Sequence, residues 1–139
     1  MIKTKRVIMR VLIVFISLVF LAEGITKLSA IQLHVDNFAR WGYPWWMMYF
    51  VGTLELIGSI LIHVKKLTRY VVLGFTVLMV IAVRIHLVNN EGLSAASIAI
   101  ILLIAQTGIL YLWWSLKKSE TSSLTAGIDA SIEKKNTPL

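Results

Sequence analysis

The sequence predicts an all-α fold, a four-transmembrane-helix bundle with a short interfacial helix or turn in the first outer loop. Three observations carry this reading. The 139 residues are 58% hydrophobic and only 15% charged, with a mean hydropathy of +0.79, the balance of a membrane protein rather than a soluble domain. Apolar runs of spanning length recur along the chain, separated by short polar turns. Lysine and arginine gather at the ends of those runs on one side. The net charge of +7 therefore belongs to membrane edges and not to a stripe that would bind nucleic acid. The expected partner is the lipid bilayer. The absence of cysteine excludes disulfides, thiolate metal centres and CxxCH haem attachment.

The first helix is expected over about residues 7–28. MIKTKRVIMRVLIVFISLVF has the basic start and apolar core of a signal peptide, but no small-x-small site follows and Glu23 and Lys27 come next, so it reads as a retained helix. Arg10 near its start can snorkel to the headgroups. Glu23 and Lys27 form an i,i+4 pair in the favourable orientation. Either they neutralise one another near the interface, or one of them turns inward toward Glu55 or a ligand. Residues 29–43, SAIQLHVDNFARWGY, are too short and polar to span. Asp36 reads as an N-cap for a turn of helix through Ala39, with Ile31, Val35 and Phe38 on its apolar side. His34 reads as a solvated or interfacial histidine, and no partner lies at metal-ligand spacing, so no metal site is expected.

The second helix, about 44–64, opens at Pro44, where a missing N–H costs nothing. Trp41, Tyr43, Trp45, Trp46 and Tyr49 around that start mark a membrane–water interface. Counted from Trp45 at about 1.5 Å per residue, Glu55 lies ~15 Å below that interface, near the bilayer midplane. An ionisable group there is expensive and marks a functional site by default. Gly52 and Ser59 flank Glu55 at helical spacing and allow a neighbouring helix to come close.

The third helix, about 70–88, carries Arg84 and His86 near its outer end, about 200° apart around the axis. His86 shares the side of Gly74, Leu78 and Ala82 and is the better candidate to look into the bundle, as a ligand-facing or a structural histidine. Arg84 points to another neighbour or snorkels outward. Asn89-Asn90-Glu91-Gly92 reads as a tight turn rich in residues that accept left-handed backbone. The fourth helix, about 93–116, carries no charge, and Ala95, Ala99, Leu102, Gln106, Leu110 and Trp113 lie along one face. Gln106 is its one strongly polar side chain at depth and is expected to hydrogen-bond to a neighbouring helix. Tyr111, Trp113 and Trp114 form the inner aromatic belt, closed by Lys117 and Lys118. The membrane domain thus covers 1–118, and 119–139, rich in Ser, Thr, Lys and Glu, reads as a disordered cytoplasmic tail.

Basic residues set the orientation. Lys3, Lys5, Arg6, Arg10, Lys65, Lys66, Arg69, Lys117 and Lys118 cluster on one side, which predicts both termini in the cytoplasm. In that frame Glu23, Lys27, Arg84 and His86 fall in the outer half, with Glu55 just beneath. A bundle with a polar cavity opening outward is the simplest arrangement that keeps these groups from lipid.

GITKL at Gly24–Leu28, FARWGYP at Phe38–Pro44, GTLELIGSILI at Gly52–Ile62 and AVRIH at Ala82–His86 occur in an order and spacing that resembles the DoxX-like family, over roughly Arg10 to Trp114. The resemblance implies a compact four-helix protein of the bacterial inner membrane. The family is named for a subunit of an archaeal thiosulfate:quinone oxidoreductase; other members are linked to bacterial oxidative-stress complexes, and an animal relative assists receptor assembly. Its Lys, Glu and His positions would map onto Lys27, Glu55 and His86.

Three functions compete. The first is a redox-associated membrane subunit with a quinone between its helices, for which Lys27 or His86 would donate a hydrogen bond and Glu55 exchange protons, with Glu23, Arg84 and Gln106 completing the polar set. The chain has no cysteine and no paired axial histidines, so electrons would come from a membrane or peripheral redox partner. The second is an assembly factor or scaffold whose helices hold a partner protein, with a homo-oligomer also possible, and whose polar cluster only locks the bundle. The third is a small transporter, disfavoured by the strong charge bias, since small four-helix exporters that insert both ways need a weak one.

Overall fold

The computed structural model describes residues 2–136, which form five helices: α1 (Ile2–Leu28), α2 (Gln32–Arg40), α3 (Trp45–Leu61), α4 (Thr68–Val88) and α5 (Gly92–Asn136). The all-α expectation holds for these residues. Three of the helices, α1, α4 and α5, are long and apolar enough to cross a membrane. Helix α3 is equally apolar but has 17 residues, about 25 Å at 1.5 Å per residue, a little short of a ~30 Å hydrocarbon core.

The connections follow local chemistry. Ala30 takes a left-handed φ of 49° to turn the chain out of α1. Gly42, at φ 74°, and extended Pro44 separate α2 from α3. The Asn89–Gly92 turn forms as expected, with Asn90 at φ 55° and Gly92 at φ 82°. Asp36 does not cap α2. The helix begins four residues earlier, and Asp36 instead accepts from Gln32 Nε2 at 2.8 Å across one turn of its exposed face. Phe38 is the buried side chain of α2, against Trp41 and Tyr43.

The largest departure from the sequence reading is the tail. Residues 119–136, expected to be disordered, continue α5. The polar residues there do not break the helix, because Thr121, Ser122 and Thr125 donate to carbonyls one turn back while Leu, Ala, Ile, Glu and Lys favour helix. The remainder of the expected tail, 137–139, lies outside the described residues.

Helix α1 lies centrally, against α3 on one side and α5 on the other, and α4 packs on α5. Ile16, Phe20, Ile62, Val72, Phe75, Met79, Ala99, Leu102 and Ile109 form the core. Phe75 of α4 stacks on Phe20 of α1, with ring centres 3.7 Å apart, and lies over Gly58 of α3, where any Cβ would strike the ring. The closest helix contact is between α1 and α3. A Cβ on Gly24 would fall 2.8 Å from the backbone nitrogen of Leu56 and 2.9 Å from the carbonyl oxygen of Gly52. One on Gly52 would fall 2.9 Å from Lys27 Cβ. Two glycines thus let the backbones touch, the small-residue packing that membrane helices use in place of a hydrophobic driving force. Gly74, by contrast, meets nothing within 4 Å and is not a packing position.

Candidate functional site

The glycine contact decides where Lys27 goes. On α3, Met48, Gly52, Glu55 and Ser59 recur at helical spacing and are all buried. With α1 held against Gly52, Lys27 is directed inward beside Glu55. Its ammonium lies 2.9 Å from Glu55 Oε2, donates to Glu55 Oε1 at 3.2 Å, and donates to Glu23 Oε2 at 2.7 Å. Lys27 and Glu55 are only 8% and 3% exposed, whereas the Glu23 side chain is 39% exposed. Lys27 thus pairs with Glu23 along α1 and also reaches across to Glu55. Oε2 is close to the cation yet accepts no hydrogen bond.

Two carboxylates share one ammonium here. The cluster carries either an uncompensated negative charge or one extra proton, so it can exchange a proton without freeing Lys27. Above it, Thr26 Oγ1 donates to the Glu23 carbonyl at 2.9 Å and lies 3.0 Å from His34 Nε2. With the hydroxyl proton committed to the carbonyl, His34 Nε2 is the donor in that pair. His34 also lies 3.8 Å from Glu23 Oε2. Burial, and then the charge of Lys27, lowers the His34 pKa from its ordinary value, partly offset by Glu23. Of the two expectations for His34, solvated or interfacial, the solvated one does not hold, because its side chain is largely buried beside Thr26 and Glu23.

His86 does not join this group. Its Nδ1 donates to Glu91 Oε2 at 2.6 Å, in the turn after α4. Glu91 Oε1 accepts from Trp41 Nε1 at 2.9 Å and lies 3.4 Å from Arg40 Nη1. Trp41 meets the His86 ring edge-on, with centres 5.3 Å apart. The indole first, and then His86, hold the Glu91 carboxyl below the ordinary range. This second cluster fastens the loop between α2 and α3 to the turn between α4 and α5. Sequence reasoning took Glu91 as a turn residue only; a carboxylate five residues after an interfacial histidine was the available signal.

The other candidates stand apart. Arg84 is exposed and makes no ion pair among the described residues. Gln106 is fully buried, but its amide reaches no partner among the described residues, so the expected interhelical hydrogen bond is not formed. Gln106 shares its buried side of α5 with apolar Leu102 and Ile109. A polar set that the sequence did not single out lies toward the basic end, where Ser17 Oγ donates to the Ser59 carbonyl at 2.9 Å and so accepts from His63 Nε2 at 2.9 Å.

Neither of two clefts on the surface is lined by Lys27 or Glu55. Lys27 pairs directly with both carboxylates. The smaller cleft, about 180 Å³, lies between α2 and the start of α3 and is lined by Phe38, Tyr43, Trp45, Met48 and Tyr49 among others. Met48 links it to the cluster, since Glu55 lies two turns further along the same buried face, about 10 Å away.

These features define a helical integral membrane protein with a Glu–Lys–Glu cluster, buried at Lys27 and Glu55, and an aromatic slot at one end. The sequence profile of the DoxX family matches residues 8–88, more than half of the chain, and the protein belongs to that family. Glu23, Lys27, Glu55 and His86 all fall inside the matched region, whereas Gln106 does not. The chain is 29% identical over 102 residues to the uncharacterized protein YdgD of Bacillus subtilis (strain 168), across 70% of this chain and 90% of that protein. No solved structure matches it.

Proposed function

We propose that this DoxX-family protein is a redox-associated membrane subunit that handles protons for a quinone seated in the aromatic slot. In this reading α3 crosses with α1, α4 and α5, giving four crossings with both termini in the cytoplasm of a bacterial inner membrane. The observation that carries the proposal is Lys27 bridging half-exposed Glu23 and buried Glu55. As structural glue the arrangement is poor. A buried ion pair is often no more stable than apolar residues of the same volume, and the second carboxylate adds an uncompensated charge. As a proton path from the outer face toward the midplane it is well formed.

The slot suits a flat ring. It is smaller than the ~300–1,000 Å³ of enclosed ligand sites, so it takes one ring and leaves an isoprenoid tail in lipid. Phe38, Tyr43, Trp45 and Tyr49 supply its aromatic walls, and the two tyrosine hydroxyls can donate to ring carbonyls. A quinone supplies a two-electron, two-proton couple. The electrons belong to a partner chain, and Glu23, Lys27 and Glu55 pass the protons.

The test is extraction of the purified protein for co-purifying quinone, alongside Met48→Trp, which fills the slot. Quinone in the wild type and its loss in Met48→Trp support the reading; none in the wild type contradicts it. One observation favours an assembly or scaffold role instead, namely that neither cleft is lined by Lys27 or Glu55. Under that reading Lys27→Met/Glu55→Leu would keep full function.

A further inference from the structure

The larger cleft, about 390 Å³, lies at the opposite end of the bundle between the start of α4 and α5, with Arg69, Trp113, Trp114, Lys117 and Lys118 in its walls. Each cation lies over an aromatic face. The Arg69 guanidinium is 4.8 Å from the Tyr70 ring centre and 5.0 Å from that of Trp113. The ammonium of Lys117 is 5.5 Å from Trp113, and that of Lys118 is 5.5 Å from Trp114. None of the three makes an ion pair among the described residues. Glu120, next along α5, is taken by Arg6 of α1 at 2.8 Å and does not neutralise them. Thr121 and Ser122, also in the wall, donate their hydroxyls to the carbonyls of Lys117 and Lys118, so recognition falls to the cations.

We propose that this cleft binds the phosphate headgroup of an anionic phospholipid. Three cations from two helices converge on one space, a guanidinium fork with two ammonium charges, which is the chemistry of phosphate recognition. Depth selects a lipid over free phosphate. Trp113, Trp114 and Tyr70 sit where apolar helix gives way to basic chain, the level of headgroups. Leu73, Val77, Ile104 and Tyr111 lie exposed along α4 and α5 toward the membrane, a surface for acyl chains. The aromatic end of α3 has no such site, since the Arg40 beside it is turned to Glu91.

The experiment is native mass spectrometry of the detergent-purified full chain, titrated with phosphatidylglycerol, phosphatidylcholine or inorganic phosphate. Phosphatidylglycerol should be retained in preference to phosphatidylcholine, and inorganic phosphate at the same concentration should not displace it. Arg69→Gln and Lys117→Gln/Lys118→Gln should each weaken retention, by about fivefold per charge removed. Arg69→Lys should restore part of the loss, and Lys65→Gln/Lys66→Gln, which removes two charges at the same end but outside the cleft, should leave it unchanged. Lys117 and Lys118 are exposed, so their variant tests the site even if Arg69→Gln does not fold. Equal retention of the two lipids, full displacement by inorganic phosphate, or an equal loss in Lys65→Gln/Lys66→Gln would each overturn the proposal.

Discussion

Lys27 Nζ lies 2.9 Å from Glu55 Oε2 although the two residues are 28 positions apart in sequence, and this contact exists because Gly24 and Gly52 let α1 and α3 touch. Backbone packing and site chemistry are therefore one feature. Disturbing either should disturb the other.

Substitution at the glycines tests this link. Gly24→Ala or Gly52→Ala forces a Cβ against backbone or Lys27 Cβ and should lower stability by about 1–3 kcal/mol, as overpacking does. Gly74→Ala, with open space around it, should be neutral or stabilising by about 0.5–1 kcal/mol, as Gly→Ala is in a helix interior. Thermal unfolding in detergent distinguishes them, and equal effects at Gly24 and Gly74 would show that the close contact is not made.

The ion pair should behave as a strongly coupled unit. Lys27→Met leaves Glu55 buried without its cation and should cost about 3–5 kcal/mol, whereas Lys27→Met/Glu55→Leu should cost much less. Exchanging Glu23 and Lys27 keeps the local i,i+4 pair but removes the cation beside Glu55, so it should damage the protein as much as Lys27→Ala. A double-mutant cycle on unfolding measures the coupling; additive effects would mean that Lys27 and Glu55 do not interact.

Much of this cluster was legible in the sequence, because the depth of Glu55 and the 3.6-residue spacing of its face follow from helix geometry alone. His86 was misplaced for a complementary reason. Periodicity shows which residues share a face but not which heights coincide. His86 lies in the last turn of α4, whereas Glu55 lies ten residues into α3, so about 10 Å separates their levels. Glu91, one turn beyond His86, was the nearer acid. Composition also misjudged the tail, where hydroxyl groups that suit a loop bond back into the helix instead.

The Glu91 latch predicts a pH dependence. Glu91 has a lowered pKa in the folded protein, so its contribution is complete above the ordinary carboxyl value of 4.5 and is lost as pH falls below that through the folded value. Protection factors at Trp41–Tyr43, corrected for the pH dependence of intrinsic exchange, should fall on acidification from neutral pH into that range. Glu91→Gln should exchange faster at neutral pH and lose the pH dependence. Unchanged protection across that range would rule out the latch.

Topology follows from the basic residues. Reporter fusions after Lys118 and within Asp36–Ala39 should report opposite sides of the membrane, with the former cytoplasmic. Both on one side would mean that α3 does not cross, and would remove the outward-facing end from the proposed function.

The central claim is that the Glu23–Lys27–Glu55 cluster exchanges protons with the quinone couple. Redox-induced infrared difference spectroscopy of the purified protein with bound quinone measures this directly. Reduction should perturb a carboxylic-acid band in the wild type, and the band should disappear in Glu55→Gln while quinone content and melting temperature stay at wild-type values. A carboxyl region that does not respond to reduction, or an unchanged band in Glu55→Gln, would contradict the claim and leave the cluster as a lock between α1 and α3.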